Sequence, residues 1–275
     1  MIFSMEKGWI PMNIFFRELK ANRKSLVIWS VCMALGVLSG MSKYTAYSGD
    51  NANNGVLNEL PRAFRALLGM GDFDVTKMSG FFAFLFLYLE LAAAAHAVLL
   101  GSGILAKEER GKTAEFLAVK PVSRSAIITS KLCAALVNLL VLDAVILISS
   151  IAMVAAYNKG PEINGEIVLF VLSLFLVQLI FVSMGTLFAA ALKKPKLTGP
   201  AAAGVMVGSF VVSEITNLTD RLDALKVLSP FQYFSYSGIV RGDGLDPLAV
   251  SLSLALAAFL LWLTYFCYRR RDLNV

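Results

Sequence analysis

Long apolar runs separated by short charged islands set the pattern of this chain. A helix needs roughly 20 mostly apolar residues to cross about 30 Å of hydrocarbon. Six runs reach or approach that length, over about 26–41, 78–105, 127–156, 167–192, 197–212 and 248–268. Charge and helix breakers mark their ends. Lys193-Lys194-Pro195 follows the fourth run, Asp246-Pro247 precedes the sixth, and Arg269-Arg270-Arg271 ends it. The pattern predicts an all-α integral membrane protein of six transmembrane helices, forming a single transmembrane domain over 1–275.

A helical period continues before the first run. Between residues 12 and 24 it places Met12, Phe15, Phe16 and Leu19 on one face. Asn13, Arg17, Lys20 and Lys24 lie around the other. That predicts an amphipathic helix in the membrane interface. The basic residues Lys7, Arg17, Lys20, Arg23 and Lys24 interrupt this end, and no small-residue site follows a short apolar core. A cleaved signal peptide is not expected, and residues 1–11 read as dispensable.

Composition agrees with the pattern: 57% of residues are hydrophobic, 16% are charged, and mean hydropathy is +0.70. Charge adds orientation. Six spans put both ends on one side. The arm, the loops after the second and fourth spans, and the tail together hold about 17 of the 25 Lys and Arg residues. The other loops hold about 8, beside about 11 carboxylates. Both termini are therefore expected to be cytoplasmic. The net charge of +6 follows from this bias and from contact with anionic lipid, without a nucleic-acid partner.

Candidate chemistry within the spans is sparse. Glu90 and His96 fall in the second run, Asn138 and Asp143 in the third, and Gln178 in the fourth. Ionisable groups at that depth face protein or water, so these side chains read as path-lining or as helix-to-helix contacts. A single histidine cannot build a multi-histidine metal site, and Cys32, Cys133 and Cys267 show no paired spacing. No metal site, disulfide or catalytic constellation is expected.

The charged island at 107–124 carries the most information. Its Gly111-Lys112-Thr113 imitates the end of a phosphate-binding loop, but the first glycine of that motif would fall at Ala106. Glu108 and Glu109 would also oppose phosphate there. Nucleotide binding by this chain is not expected. Around Phe116 and Leu117 stand Glu108, Glu109, Arg110, Lys112 and Glu115. A short amphipathic helix over 113–117 would present a hydrophobic plug with charges to fix its register in a soluble partner.

The stretch Glu109-Arg110-Gly111-Lys112-Thr113-Ala114-Glu115-Phe116-Leu117, then Lys120-Pro121-Val122-Ser123-Arg124 and Lys131, resembles the signature of permease subunits of type-2 ATP-binding-cassette exporters. Leu60-Pro61-Arg62-Ala63-Phe64 with Leu68-Gly69-Met70-Gly71, and Leu228-Ser229-Pro230-Phe231, are similar to the family too. The resemblance implies a membrane path built with a second permease, either a copy or a paralogue. It also implies a separate cytoplasmic ATPase subunit that holds the ATP and Mg, and a cell-membrane location in a bacterium. Segment 107–124 would be the coupling loop, acting through Glu108, Glu109, Arg110, Gly111, Thr113, Glu115, Phe116, Leu117, Pro121 and Arg124. It further implies a re-entrant helical gate between the last two spans. Residues 214–244, with Phe231, Tyr233, Phe234 and Tyr236, fit that gate or an aromatic belt at the lipid interface.

Other readings stay open at this point. An ion- or proton-coupled carrier could run on Glu90, His96 and Asp143, and a membrane anchor could recruit a soluble protein without transport. A short surface helix is expected over 56–70. Gly36-x-x-x-Gly40 and Gly204-x-x-x-Gly208 permit close helix approach, as at a subunit interface.

Overall fold

The computed structural model describes residues 2–47, 74–111, 123–158, 160–218 and 225–270. The expected surface helix over 56–70 lies outside them. Among the described residues every regular element is helical: α1 (Ile2–Met41), α2 (Tyr44–Tyr47), α3 (Met78–Arg110), α4 (Arg124–Tyr157), α5 (Asn164–Ala191), α6 (Thr198–Leu218), a 3-10 turn (Pro230–Gln232), α7 (Tyr236–Arg241) and α8 (Pro247–Arg270). Six helices, α1, α3, α4, α5, α6 and α8, are long and apolar enough to cross a membrane.

The boundaries shift in instructive ways. α1 runs without a break through the arm and the first span, where the amphipathic pattern suggested two helices. Its buried face in the arm is Ile14 and Glu18, while Met12 and Phe16 are exposed and Phe15 and Leu19 are partly buried. Met12 and Phe16 thus face outward, and the buried face is one that periodicity did not mark. α3 continues past Leu105 to Arg110, so the first charges of the island close a helix instead of opening a loop. α6 extends to Leu218, past the expected end at residue 212.

α3 and α5 form the central pair, and glycine decides how closely they meet. A Cβ on Gly101 would lie 2.2 Å from the Val182 carbonyl oxygen, and one on Gly185 would lie 2.4 Å from that of Val98. No side chain fits there, so the two backbones touch directly. Of the glycines marked by spacing, Gly36 and Gly40 face Leu89 and Leu85 of α3 inside the same chain. Gly204 and Gly208 meet nothing within 4 Å among the described residues.

Two apolar cores stack along the bundle. One joins Phe82, Phe86 and Phe170 to Leu142, Ile146 and the α1 residues Met33 and Val37. The other joins Val98, Ala134, Leu139, Val177 and Phe181 to Phe231 and Phe234. The outward faces remain apolar: Val27, Ile28, Val31 and Leu35 of α1, and Phe259 and Trp262 of α8, are all exposed. In a chain that spans a bilayer, lipid covers such faces.

The segment after α6 turns back along that helix. Ser229 Oγ donates to the Ser209 carbonyl at 2.9 Å, near the middle of α6, and is wholly buried. The Gln232 amide donates to the Ser213 carbonyl at 3.1 Å, Ser213 Oγ at 2.7 Å and Asn217 Oδ1 at 2.8 Å. Phe231 packs on Phe181 and Phe210, with centroids 5.1 and 5.5 Å away. The aromatic residues Phe231, Phe234 and Tyr236 therefore turn into the bundle, and do not lie on its lipid surface. Irregular backbone at such depth is tolerated where protein surrounds it.

Candidate functional site

The charged island begins on the last turn of α3, and its side chains meet those of two other helices. Lys131, on α4 and 1% exposed, directs its ammonium at three acceptors: the Ile104 carbonyl at 2.6 Å, Glu108 Oε1 at 2.6 Å and Glu18 Oε1 at 3.2 Å. An ammonium has three N–H donors, so all are used. Glu18, on α1 and fully buried, receives Lys107 on its other oxygen. Arg17 donates to Glu108 Oε1 at 3.1 Å and sits 3.7 Å from Glu18. Three cations and two carboxylates from α1, α3 and α4 thus form one knot. Buried charge is stable only when paired and hydrogen-bonded in this way.

Among the residues expected to serve a docking loop, Glu108 lies in this knot, and Glu109 and Arg110 complete the same last turn of α3. Gly111 follows as its C-cap. Thr113, Glu115, Phe116, Leu117 and Pro121 lie outside the described residues. Arg124 faces elsewhere. Its guanidinium donates to the carbonyls of Tyr268 and Arg269 at 3.4 and 3.3 Å, while Arg269 donates to Ser125 Oγ at 2.9 Å. These exchanges close the C-terminal end of α8 against the start of α4, where a cation suits the helix dipole. Ser123 caps α4, accepting from the Ala126 N–H at 3.2 Å. Ser123 and Arg124 therefore form a helix start whose arginine ties two spans together.

The polar residues inside the spans do not converge. Glu90 of α3 accepts a hydrogen bond from the hydroxyl of Tyr236 on α7. Tyr236 is enclosed by Phe86 and Phe170, with centroids 5.8 and 5.4 Å away. Burial, and then the nearby Glu90 and Glu214 carboxyls, raise that hydroxyl well above its ordinary 10.0, so it remains a donor. Ser235 starts α7 by accepting from the Gly238 N–H, and Gly242 ends it at φ +88°. Asp143 of α4 has Gln178 of α5 as its polar neighbour. Neither Asp143 oxygen nor the Gln178 amide has a hydrogen-bond partner among the described residues. His96 packs edge-on against Trp29, with centroids 5.4 Å apart, and its Nδ1 is also without a hydrogen-bond partner there. Glu90, His96 and Asp143 thus each meet a different neighbour. No group of three or more His, Cys, Asp or Glu among the described residues could hold a metal ion.

Glu18 is the functional candidate that sequence reading missed. The available signal was the single carboxylate between residues 12 and 24, one turn beyond Ile14 on the same face. Its partners lie 89 and 113 residues away, beyond any local pattern.

A family model described as "ABC-2 family transporter protein" matches residues 12–273, nearly the whole length. No curated protein matches the chain.

Proposed function

This chain belongs to the ABC-2 transporter family, and on that premise we propose that it is the permease subunit of an ATP-driven exporter, working with a second permease and a separate cytoplasmic ATPase. Hydrolysis of ATP is assigned to that ATPase, and this chain supplies the membrane path and the mechanical link. Both termini and segment 107–124 face the cytoplasm of a bacterial cell membrane, on the strength of the basic bias of those segments.

The observation that carries this reading is the base of segment 107–124. The last turn of α3 is fixed by Glu108, Lys131 and the Ile104 carbonyl. A loop that hung loosely from α3 would absorb a push from a partner, whereas one set on a charge-locked turn passes it to α3 and α4. The Phe116–Leu117 pair between charges supplies the contact surface. Glu90, His96 and Asp143, each with its own neighbour, supply no relay for an ion-coupled carrier.

A pull-down of the detergent-solubilised protein from its host tests the reading. Wild type should retain an ATPase that the Phe116→Asp, Leu117→Asp double variant loses. Absence of an ATPase with both would reject it.

A further inference from the structure

We propose that Glu18 is a positioning residue for force transmission, joining the N-terminal arm of α1 to the base of segment 107–124 so that the two move as one piece. The inference rests on the reading of that segment as the ATPase-coupling element. It adds a second moving part, the arm, to which that reading assigns no role.

Geometry ties the arm to the loop base through charge. Glu18 offers one oxygen to Lys107 and the other to Lys131, and Lys131 also grips Glu108 and the Ile104 carbonyl. A displacement of the last α3 turn therefore reaches Glu18 through two separate cations. Among the described residues the apolar contacts of the arm beside this knot include Ile14 against Ile127 and the partly buried Phe15 and Leu19. Without Glu18, Lys107 and Lys131 would both lose a carboxylate that they share.

Two features separate a positioning role from plain stabilisation. Apolar residues of similar size commonly stabilise a buried site as well as an ion pair does, so charge here brings direction and register. The knot also sits at one end of the bundle, at the last turn before the island, and not at the α3–α5 glycine contact that centres the fold. Because α1 is unbroken, an arm that follows the loop carries the first span with it.

Hydrogen exchange on the full-length permease in lipid nanodiscs tests this without the ATPase. In Glu18→Gln, peptides covering 12–24 and 104–111 should both exchange at least about tenfold faster, with α5 unchanged. Lys107→Gln, whose side chain is 30% exposed, perturbs the same knot more gently and serves if Glu18→Gln fails to fold. The Glu18→Gln, Lys107→Gln pair should exchange no faster than Glu18→Gln alone, because both act through one contact. Faster exchange in the arm with 104–111 unchanged, or an equal rise in every helix, overturns the proposal. ATP turnover supplies a second readout: the Glu18→Gln permease should keep its ATPase in the pull-down but stimulate it at least about fivefold less than wild type. Equal stimulation overturns the proposal. Failure of the Phe116, Leu117 pull-down bears on the coupling reading, while the exchange result stands by itself.

Discussion

Tyr236 and Glu90 show how one hydroxyl holds a short helix inside a membrane bundle. The ring of Tyr236 packs on Phe86 and Phe170, and its hydroxyl supplies a donor to a buried carboxyl. Tyr236→Phe keeps the ring and removes the donor. It should lower stability by about 1–3 kcal/mol, seen as a lower thermal midpoint in nanodiscs. Glu90→Gln leaves an acceptor in place and should cost less. The hydroxyl also imposes a pH limit. Its folded value lies above the ordinary 10.0, so the folded state holds its proton longer than the unfolded chain does. Its contribution is complete below pH 10 and is lost as pH climbs toward the folded value. Unfolding followed from pH 9 to 12 should steepen above about 10, and Tyr236→Phe should flatten that limb.

At the level of helices, the glycines separate contacts that spacing alone cannot. Gly185→Val would drive its side chain into the α3 backbone near Val98, which neither helix can relieve by rotating a side chain. A loss of about 2–3 kcal/mol is expected, read as a lower midpoint or as poor recovery of folded protein. Gly204→Ala, with nothing within 4 Å among the described residues, should leave the monomer as stable or raise it by about 0.5–1 kcal/mol through helix propensity. The same comparison explains what sequence could convey. Spans are legible because roughly 20 apolar residues must lie consecutively, and the charged island is legible because it interrupts them. Glu18 and the Gly101–Gly185 contact were not, since each depends on residues brought close only by packing. The inward place of Glu18 was hidden for a related reason: periodicity marks Phe16, and no local rule anticipates a carboxylate drawn inward by two lysines.

For the molecule as a whole, charge distribution sets orientation. With about 17 basic residues on one side and about 8 on the other, reporters fused to either terminus should behave as cytoplasmic. An active periplasmic alkaline phosphatase at the C-terminus would reverse the assignment. The charge-locked knot and the Arg124–α8 clasp both sit at the ends of spans that the proposed orientation puts at the cytoplasmic surface. The opposite end is closed by the returning segment, with Ser229 anchored at mid-α6 and Tyr236 on Glu90. One end is thus joined mainly by ion pairs, and the other by hydrogen bonds, aromatic rings and the exposed Arg241–Asp243 pair, 3.5 Å apart. Raised salt should therefore loosen the exposed Arg17 contact before the buried Lys131 contacts of the same knot.

The aromatic face of α8 has an optical consequence. Trp262 stands between Phe259 and Phe266, stacked at 6.1 and 5.8 Å, and is 59% exposed, while Trp29 lies partly buried beside His96. With Trp9 changed to Phe, two indoles remain, one bathed in acyl chains and one shielded by the bundle. Phospholipids brominated at successive carbons should quench the emission of Trp262 far more than that of Trp29. The depth of strongest quenching then locates the bilayer along α8, so the protein carries its own fluorescent ruler.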